Sequence, residues 1–226
     1  MPDHETPTWY IYGAGGFGLE TLEICLGAMA AERAPKRRLS FIVDGSSEKE
    51  VLGYPVVELA DCEQGALVTI AVGEPAARTK LAEKVAAAGL RLTSAIAPSA
   101  VISPSATIEA GVIVAPLCSV QARAFIGRNA AVNTMAIVGH DVQVAEDAVI
   151  SSMVNLGGAV KVGRRAYVGM GAMIREKLTV GADSIVGMGS VVHRDVPEDV
   201  IAMGDPARVV RRNEDKTVFR KSGDQA

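Results

Sequence analysis

The chain contains three histidines, His4, His140 and His193. His140 has a neighbour that can work with it, since the run reads Val138-Gly139-His140-Asp141. An imidazole titrating near neutrality can take a proton from an attacking amine or hydroxyl. A carboxylate close by can fix its tautomer and stabilise the imidazolium, and Asp141 and Glu146 are the candidates. Eighteen residues beyond His140 stands Gly158, in Leu156-Gly157-Gly158. A second stretch suited to chemistry is Gly13-Ala14-Gly15-Gly16-Phe17-Gly18, which leads into a segment with Leu19, Leu22, Leu26 and Met29 on one helical face. Glycines let a backbone approach a phosphate, and a helix N-terminus adds unpaired N–H groups and a favourable dipole. The plainer alternative is that these glycines only tighten a turn.

The elements around that turn make a nucleotide-binding opening. Trp9 to Tyr12 reads as a strand, the helix is ended by Pro35 and the basic run Lys36 to Arg38, and Leu39 to Val43 is a buried strand closed by Asp44-Gly45. Leu67 to Val72 gives another strand, ending at Gly73-Glu74. Pro75 then starts a helix that packs Ala77, Leu81, Val85 and Ala88 and stops at Gly89. Residues 1–93 therefore form an α/β half-Rossmann domain, with room for one nucleotide or a sugar nucleotide in preference to a dinucleotide. Its candidate substrate residues are Gly13, Gly15, Gly16, Phe17, Asp44, Gly45, Gly73 and Glu74. Asp44 is placed to accept a hydrogen bond from a base or ribose.

From Ile96 to Val192 every sixth residue is aliphatic, without an insertion: Ile96, Ile102, Ile108, Val114 and so on through Leu156 to Val192. Two places before most of these stands a small residue, such as Ala124, Ala136 or Ala166, and a glycine often follows. A period of six belongs to neither a helix nor a simple meander. It marks an all-β parallel β-helix over residues 94–212, in which each repeat buries one aliphatic side chain. Residues 213–226 read as a polar C-terminal tail.

Composition narrows the function. The 226 residues carry 23 basic and 26 acidic side chains, a formal net charge of −3, so there is no basic footprint for nucleic acid. Three scattered cysteines, Cys25, Cys62 and Cys118, show neither a disulfide framework nor a zinc spacing, which points to a reducing cytoplasm. No run approaches a membrane span, and Met1 to Thr8 has no apolar signal core. No metal is expected. A metal site of three histidines is excluded because His140 and His193, the two in the repeat, are 53 residues apart.

The hexapeptide run resembles the left-handed β-helix acyltransferases. The whole order, Tyr12-Gly-Ala-Gly-Gly-Phe-Gly18, then Ile70-Ala-Val-Gly-Glu74, then an unbroken repeat, resembles the nucleotide-sugar N-acetyltransferases of bacterial glycan pathways together with the sialic acid O-acetyltransferases. That resemblance spans residue 9 to about residue 211. It implies three hexapeptides per coil, so that residues eighteen apart stack and the seventeen rungs make between five and six coils.

It also implies acetyl-CoA as co-substrate, a nucleotide-linked amino sugar as acceptor, and a homotrimer with sites between subunits. His140 takes the place of the general base, and Gly158 that of a backbone donor to the thioester oxygen. Asn133 and Thr134 match residues near the reacting group. Met170-Gly171 stacks on Met188-Gly189, either as a groove for a pantetheine arm or as simple packing. Gly204-Asp-Pro-Ala-Arg208 matches a closing loop near the end of the CoA tunnel. Pro206 and Arg208 are its candidate contacts, and Arg208, Arg211 and Arg212 meet CoA phosphates or form a solvated tail. Two positions depart from the pattern: Val149 stands where a second histidine often touches the thioester region, and Phe17 where some sugar-nucleotide binders have histidine. The alternatives are a sialic acid O-acetyltransferase and a non-catalytic hexapeptide scaffold.

Overall fold

The computed structural model of the chain describes residues 7–31, 33, 34 and 36–219. His4, Pro35 and the last seven tail residues lie outside the described residues. An N-terminal α/β region is followed by a left-handed parallel β-helix.

The α/β region runs β1 (Trp9–Tyr12), α1 (Gly16–Ala30), β2 (Leu39–Ile42), β3 (Glu50–Val51), β4 (Tyr54–Val57), β5 (Leu67–Ile70), α2 (Pro75–Ala87) and β6 (Arg91–Leu92). The sheet order is β3-β4-β2-β1-β5-β6, parallel except for the β3–β4 hairpin. The chain winds from β1 to β2 on one side and returns to β5 on the other. The order therefore reverses between β1 and β5, and at such a point α/β sheets bind ligands in the crevice beyond the C-terminal strand ends. Two glycines make the first turn there. Gly13 has φ +109°, and a Cβ on it would meet the Ala71 carbonyl at 2.9 Å. A Cβ on Gly18 would overlap the Gly13 carbonyl, so α1 packs this close only because residue 18 is glycine.

Both helices bury different faces from those expected. In α1, Leu22 and Met29 are buried as expected, but Leu26 is exposed and Ile24, Cys25 and Ala28 take the inner positions. In α2 the buried residues are Pro75, Arg78, Ala82 and Val85, while Ala77 and Leu81 are half-buried. A charged side chain was not expected inside. Arg78 is fully buried because each of its three nitrogens finds an oxygen: Nε to Asn129 O at 2.7 Å, Nη1 to Ile70 O and Val72 O, and Nη2 to Asn129 Oδ1. Desolvation lowers its pKa to about 10. Since Asn129 belongs to the β-helix, this arginine fastens the end of β5 to the second region. Thr79 adds a 2.7 Å bond to Asp147.

The β-helix contains seventeen two-residue strands, β7 (Ala95–Ile96) to β23 (Val191–Val192), one every six residues. The second residue of each is the aliphatic of the six-residue period. From Val114 onward all are buried, as are Ala124, Ala130, Ala136, Ala148, Ala166 and Ala172. Each fully buried Val, Ile or Leu contributes about 1.5–3 kcal/mol before conformational entropy is charged. Strands eighteen residues apart pair in parallel, for example Val120 with Val138 and Val138 with Leu156. This produces three faces. The first carries β7, β10, β13, β16, β19 and β22, the second β8 to β23 by threes, and the third β9 to β21 by threes. A hairpin, β24 (Val200–Gly204) and β25 (Ala207–Arg212), extends the first face.

The corners explain the glycines that follow the rungs. A Cβ on Gly139 would meet the Leu156 carbonyl of the next coil at 2.6 Å. The left-handed residue comes two places later and is usually not glycine, as at Asn129 (φ 56°), Asp141 (φ 60°) and Asp147 (φ 60°). Short polar side chains tolerate that conformation better than branched ones.

Candidate active site

Three corners run the length of the β-helix, and each has its own chemistry. The corner between the second and third faces carries His140. Its ring is largely exposed, and Nδ1 lies 2.7 Å from Asp141 Oδ2. The Asp141 carboxylate is gripped from the coil before it, where Arg123 donates Nε to Oδ1 at 2.6 Å and Nη2 to Oδ2 at 2.8 Å. The Arg123 bonds, followed by the His140 bond, lower the Asp141 pKa to about 2. Asp141 is thus an ionised acceptor that fixes one ring nitrogen, leaving Nε2 free to take a proton. Of the two carboxylates considered, Asp141 faces His140, whereas Glu146 stands at another corner, paired with Arg164.

Gly158 stacks next to His140, with the Ala159 N–H donating to the His140 carbonyl at 2.8 Å. The left-handed residue at this corner is Ala159 (φ 59°) and not Gly158. What requires glycine at 158 is the imidazole: a Cβ there would lie 2.5 Å from Nε2 and 2.6 Å from Cε1. Among the described residues the Gly158 N–H has no acceptor. One small area therefore presents a proton acceptor and an unused backbone donor.

The other candidate residues divide between two places. Asn133 and Thr134 follow Val132 on the first face, and Met170-Gly171 and Met188-Gly189 follow Val168 and Val186, so all six lie at the corner between first and second faces. In one chain they stand a full face away from His140. Pro206 and Arg208 are exposed on the closing hairpin of the first face. A groove of about 700 Å³ runs along the third face past Gln143, Lys161 and Thr179, and none of the candidate residues lines it.

At the α/β crevice, Gly15 and Gly16 open α1, and a Cβ on either would meet nothing within 4 Å. Phe17 follows them, half-buried. Unlike Gly13 and Gly18, these glycines are not needed for packing. They leave the helix N-terminus bare. Gly73 and Glu74 form the opposite lip, after β5. Asp44 is engaged by its own chain: Tyr12 Oη donates to it at 2.6 Å, Lys84 at 3.0 Å and the Leu59 N–H at 3.4 Å. The Tyr12 bond leads in holding its carboxyl below the usual range. The Gly45 N–H is taken by Glu58.

Comparison with known proteins gives the arrangement its relatives. The family model described as PglD N-terminal domain matches residues 9–85. PerB from Caulobacter crescentus, solved in complex with CoA and GDP-perosamine, is 36% identical with a TM-score of 0.79, over 89% of this chain and 96% of that one. This chain belongs to the hexapeptide-repeat sugar N-acetyltransferase family. The acetyltransferase domain of PglB from Neisseria gonorrhoeae, solved with acetyl coenzyme A, is 30% identical with a TM-score of 0.82, over 91% of this chain and all of that one (100%). GDP-perosamine N-acetyltransferase of Escherichia coli O157:H7 is 28% identical over 141 residues. That match covers 60% of this chain and 63% of the relative, just under two thirds of its length.

Within this sugar N-acetyltransferase chain, two parts of the candidate sites were missed from sequence. Arg123 gave one usable signal, its place eighteen residues before Asp141. The C-terminal tail gave none. Expected to be a polar terminus, it is packed as far as Phe219: Asn213 is buried, and Val218 and Phe219 reach Glu74.

Proposed function

We propose that this chain transfers the acetyl group of acetyl-CoA to the amino group of a nucleotide-linked amino sugar. The observation that carries the reading is the pairing, in one chain, of an uncovered helix N-terminus at Gly15-Gly16 with the His140–Asp141–Gly158 corner. The sugar amine attacks the thioester carbonyl carbon while His140 Nε2 takes its proton. The Gly158 N–H donates to the carbonyl oxygen as negative charge builds there, where such a donor is worth most. The tetrahedral adduct collapses, the C–S bond breaks, and the imidazolium returns a proton to the departing thiolate. PerB, bound to CoA and GDP-perosamine, and PglB, bound to acetyl-CoA, support this choice of partners. We assign the α/β part, residues 1–93, to the sugar nucleotide and residues 94–212 to acetyl-CoA and the chemistry, in the cytoplasm where acetyl-CoA is made. No helix among the described residues is long and apolar enough to cross a membrane.

Gly15→Val tests the nucleotide assignment. The residue has φ −75° and free space around its Cα, so the fold tolerates the change. The added side chain blocks the helix N-terminus. The KM for the sugar nucleotide should rise about tenfold or more, as expected for loss of charge-assisted hydrogen bonds. The KM for acetyl-CoA should not move. An unchanged sugar KM removes the turn from the site.

The active form in this reading is a homotrimer. The corner bearing Asn133 and Thr134 also exposes Leu117, Met135, Met153, Met170 and Met188. Such an apolar edge calls for cover. In a closed ring, the edge of one subunit faces the His140 corner of the next and unites the two halves of the acetyl-CoA site. Sedimentation should give three chains per particle, and an active monomer would contradict the arrangement.

A further inference from the structure

The tail climbs the third corner from the closing hairpin towards the α/β crevice. Asn213 anchors it, its N–H donating to Asp199 O at 2.8 Å and its Nδ2 to Asp183 O at 2.8 Å. Lys216 Nζ follows, 3.3 Å from Asp183 and 3.1 Å from Asp199. Arg165 clasps the same Asp183, so this corner is a ladder of alternating charge that fixes the direction of the tail. Then the backbone N–H groups of Val218 and Phe219 both donate to Glu74 Oε2, at 2.9 and 3.0 Å. The Phe219 ring lies over Gly73, 3.5 Å from where a Cβ would stand, and meets Tyr167 edge-on with centroids 5.6 Å apart.

Gly73-Glu74 is one lip of the crevice beyond the C-terminal ends of β1 and β5, and Tyr167 is on the first face of the β-helix. Phe219 therefore sits where the two regions meet, with more than half of its surface exposed. Any sugar whose phosphate is held at Gly15-Gly16 has to project out of the crevice to reach a donor on the β-helix. Glu74 adds a second sign of a missing partner. Its Oε1 is buried with no hydrogen-bond partner among the described residues, although Oε2 is doubly bonded. A buried acceptor left alone is costly unless a ligand supplies the donor.

We propose that residues 217–219 form the outer wall of the sugar-nucleotide crevice. The two backbone donors hold Glu74 by Oε2, so that Oε1 accepts from a substrate hydroxyl. The Phe219 ring packs against the apolar face of the sugar. This rests on the proposed function and adds to it a specificity element far from both motifs in sequence.

Three proteins test it: the intact chain, Phe219→Ala, and a chain ending at Lys216, which keeps the Asn213 and Lys216 anchors. Each is assayed with the amino-sugar nucleotide that the intact chain acetylates best. Both variants should show a sugar-nucleotide KM raised roughly tenfold, the worth of an aromatic contact and an oriented acceptor together. The KM for acetyl-CoA and the thermal midpoint should stay as in the intact chain. A lowered KM in the shortened chain would mean that the segment plugs the crevice, and the proposal falls. Unchanged constants would make it a bystander, and the proposal falls equally. An intact chain inert towards every amino-sugar nucleotide would overturn the proposed function along with it, whereas an active intact chain with indifferent variants would overturn this inference alone.

Discussion

His140→Ala is expected to lower kcat by roughly two to four orders of magnitude, the usual worth of a positioned general base. The ring is largely exposed and supports no part of the core, so the fold should survive and the Kd for acetyl-CoA should change little. The pH dependence of the intact enzyme is a companion test. A general base must be unprotonated to act, so kcat/KM should fall on the acid side of its pH profile. Asp141, held down to a pKa of about 2 by Arg123 and His140, stays ionised throughout that range and adds no limb of its own. A folded His140→Ala enzyme with an unchanged rate would remove the residue from the mechanism.

The second large effect is expected from Gly158→Ala, a change of one methyl group. The backbone at 158 is not left-handed, and the atoms a Cβ would strike are Nε2 and Cε1 of a ring free to swing away. Stability should consequently stay within about 0.5 kcal/mol of the parent, as for surface substitutions in general. The rate should not, because the ring can yield only by leaving its place beside Gly158 and loosening its 2.7 Å contact with Asp141. A misplacement of this size costs about a hundredfold in kcat. If the effect runs through the imidazole, the double variant His140→Ala with Gly158→Ala should be no slower than His140→Ala alone. Full additivity would show that the methyl group acts elsewhere.

Periodic features of the fold could be read from the sequence, and single long-range contacts could not. The six-residue period from Ile96 to Val192 reports directly on burial, because each six-residue repeat puts one aliphatic rung side chain inside. The turn Gly13 to Gly18 is legible for a similar reason, since Gly13 and Gly18 answer to backbone overlap. His140 and Asp141 are adjacent, so their pairing needs no tertiary knowledge. Arg123 becomes visible only once the coil length is known. Arg78 ran against the pattern: a guanidinium on the inner face of α2 breaks amphipathic spacing, and the four oxygens that bond it come from Ile70, from Val72 just past β5, and from Asn129, 51 residues away. The β3–β4 hairpin was overlooked because its turn, Leu52-Gly53, places leucine at φ 52° where asparagine or aspartate would have signalled it. The tail meets Glu74 across 144 residues through backbone donors, which any sequence possesses.

The most direct test of the account offers the intact protein acetyl-CoA with a panel of GDP-, UDP- and TDP-linked amino sugars and with free sialic acid, and reads products by mass spectrometry with the acetylated atom located by NMR. Acetyl transfer to the nitrogen of at least one sugar nucleotide is expected, with CoA released in equal amount and no faster reaction with free sialic acid. Acetylation of sialic acid oxygen ahead of every amino-sugar nucleotide, or acetyl-CoA left intact with all of them, would contradict it.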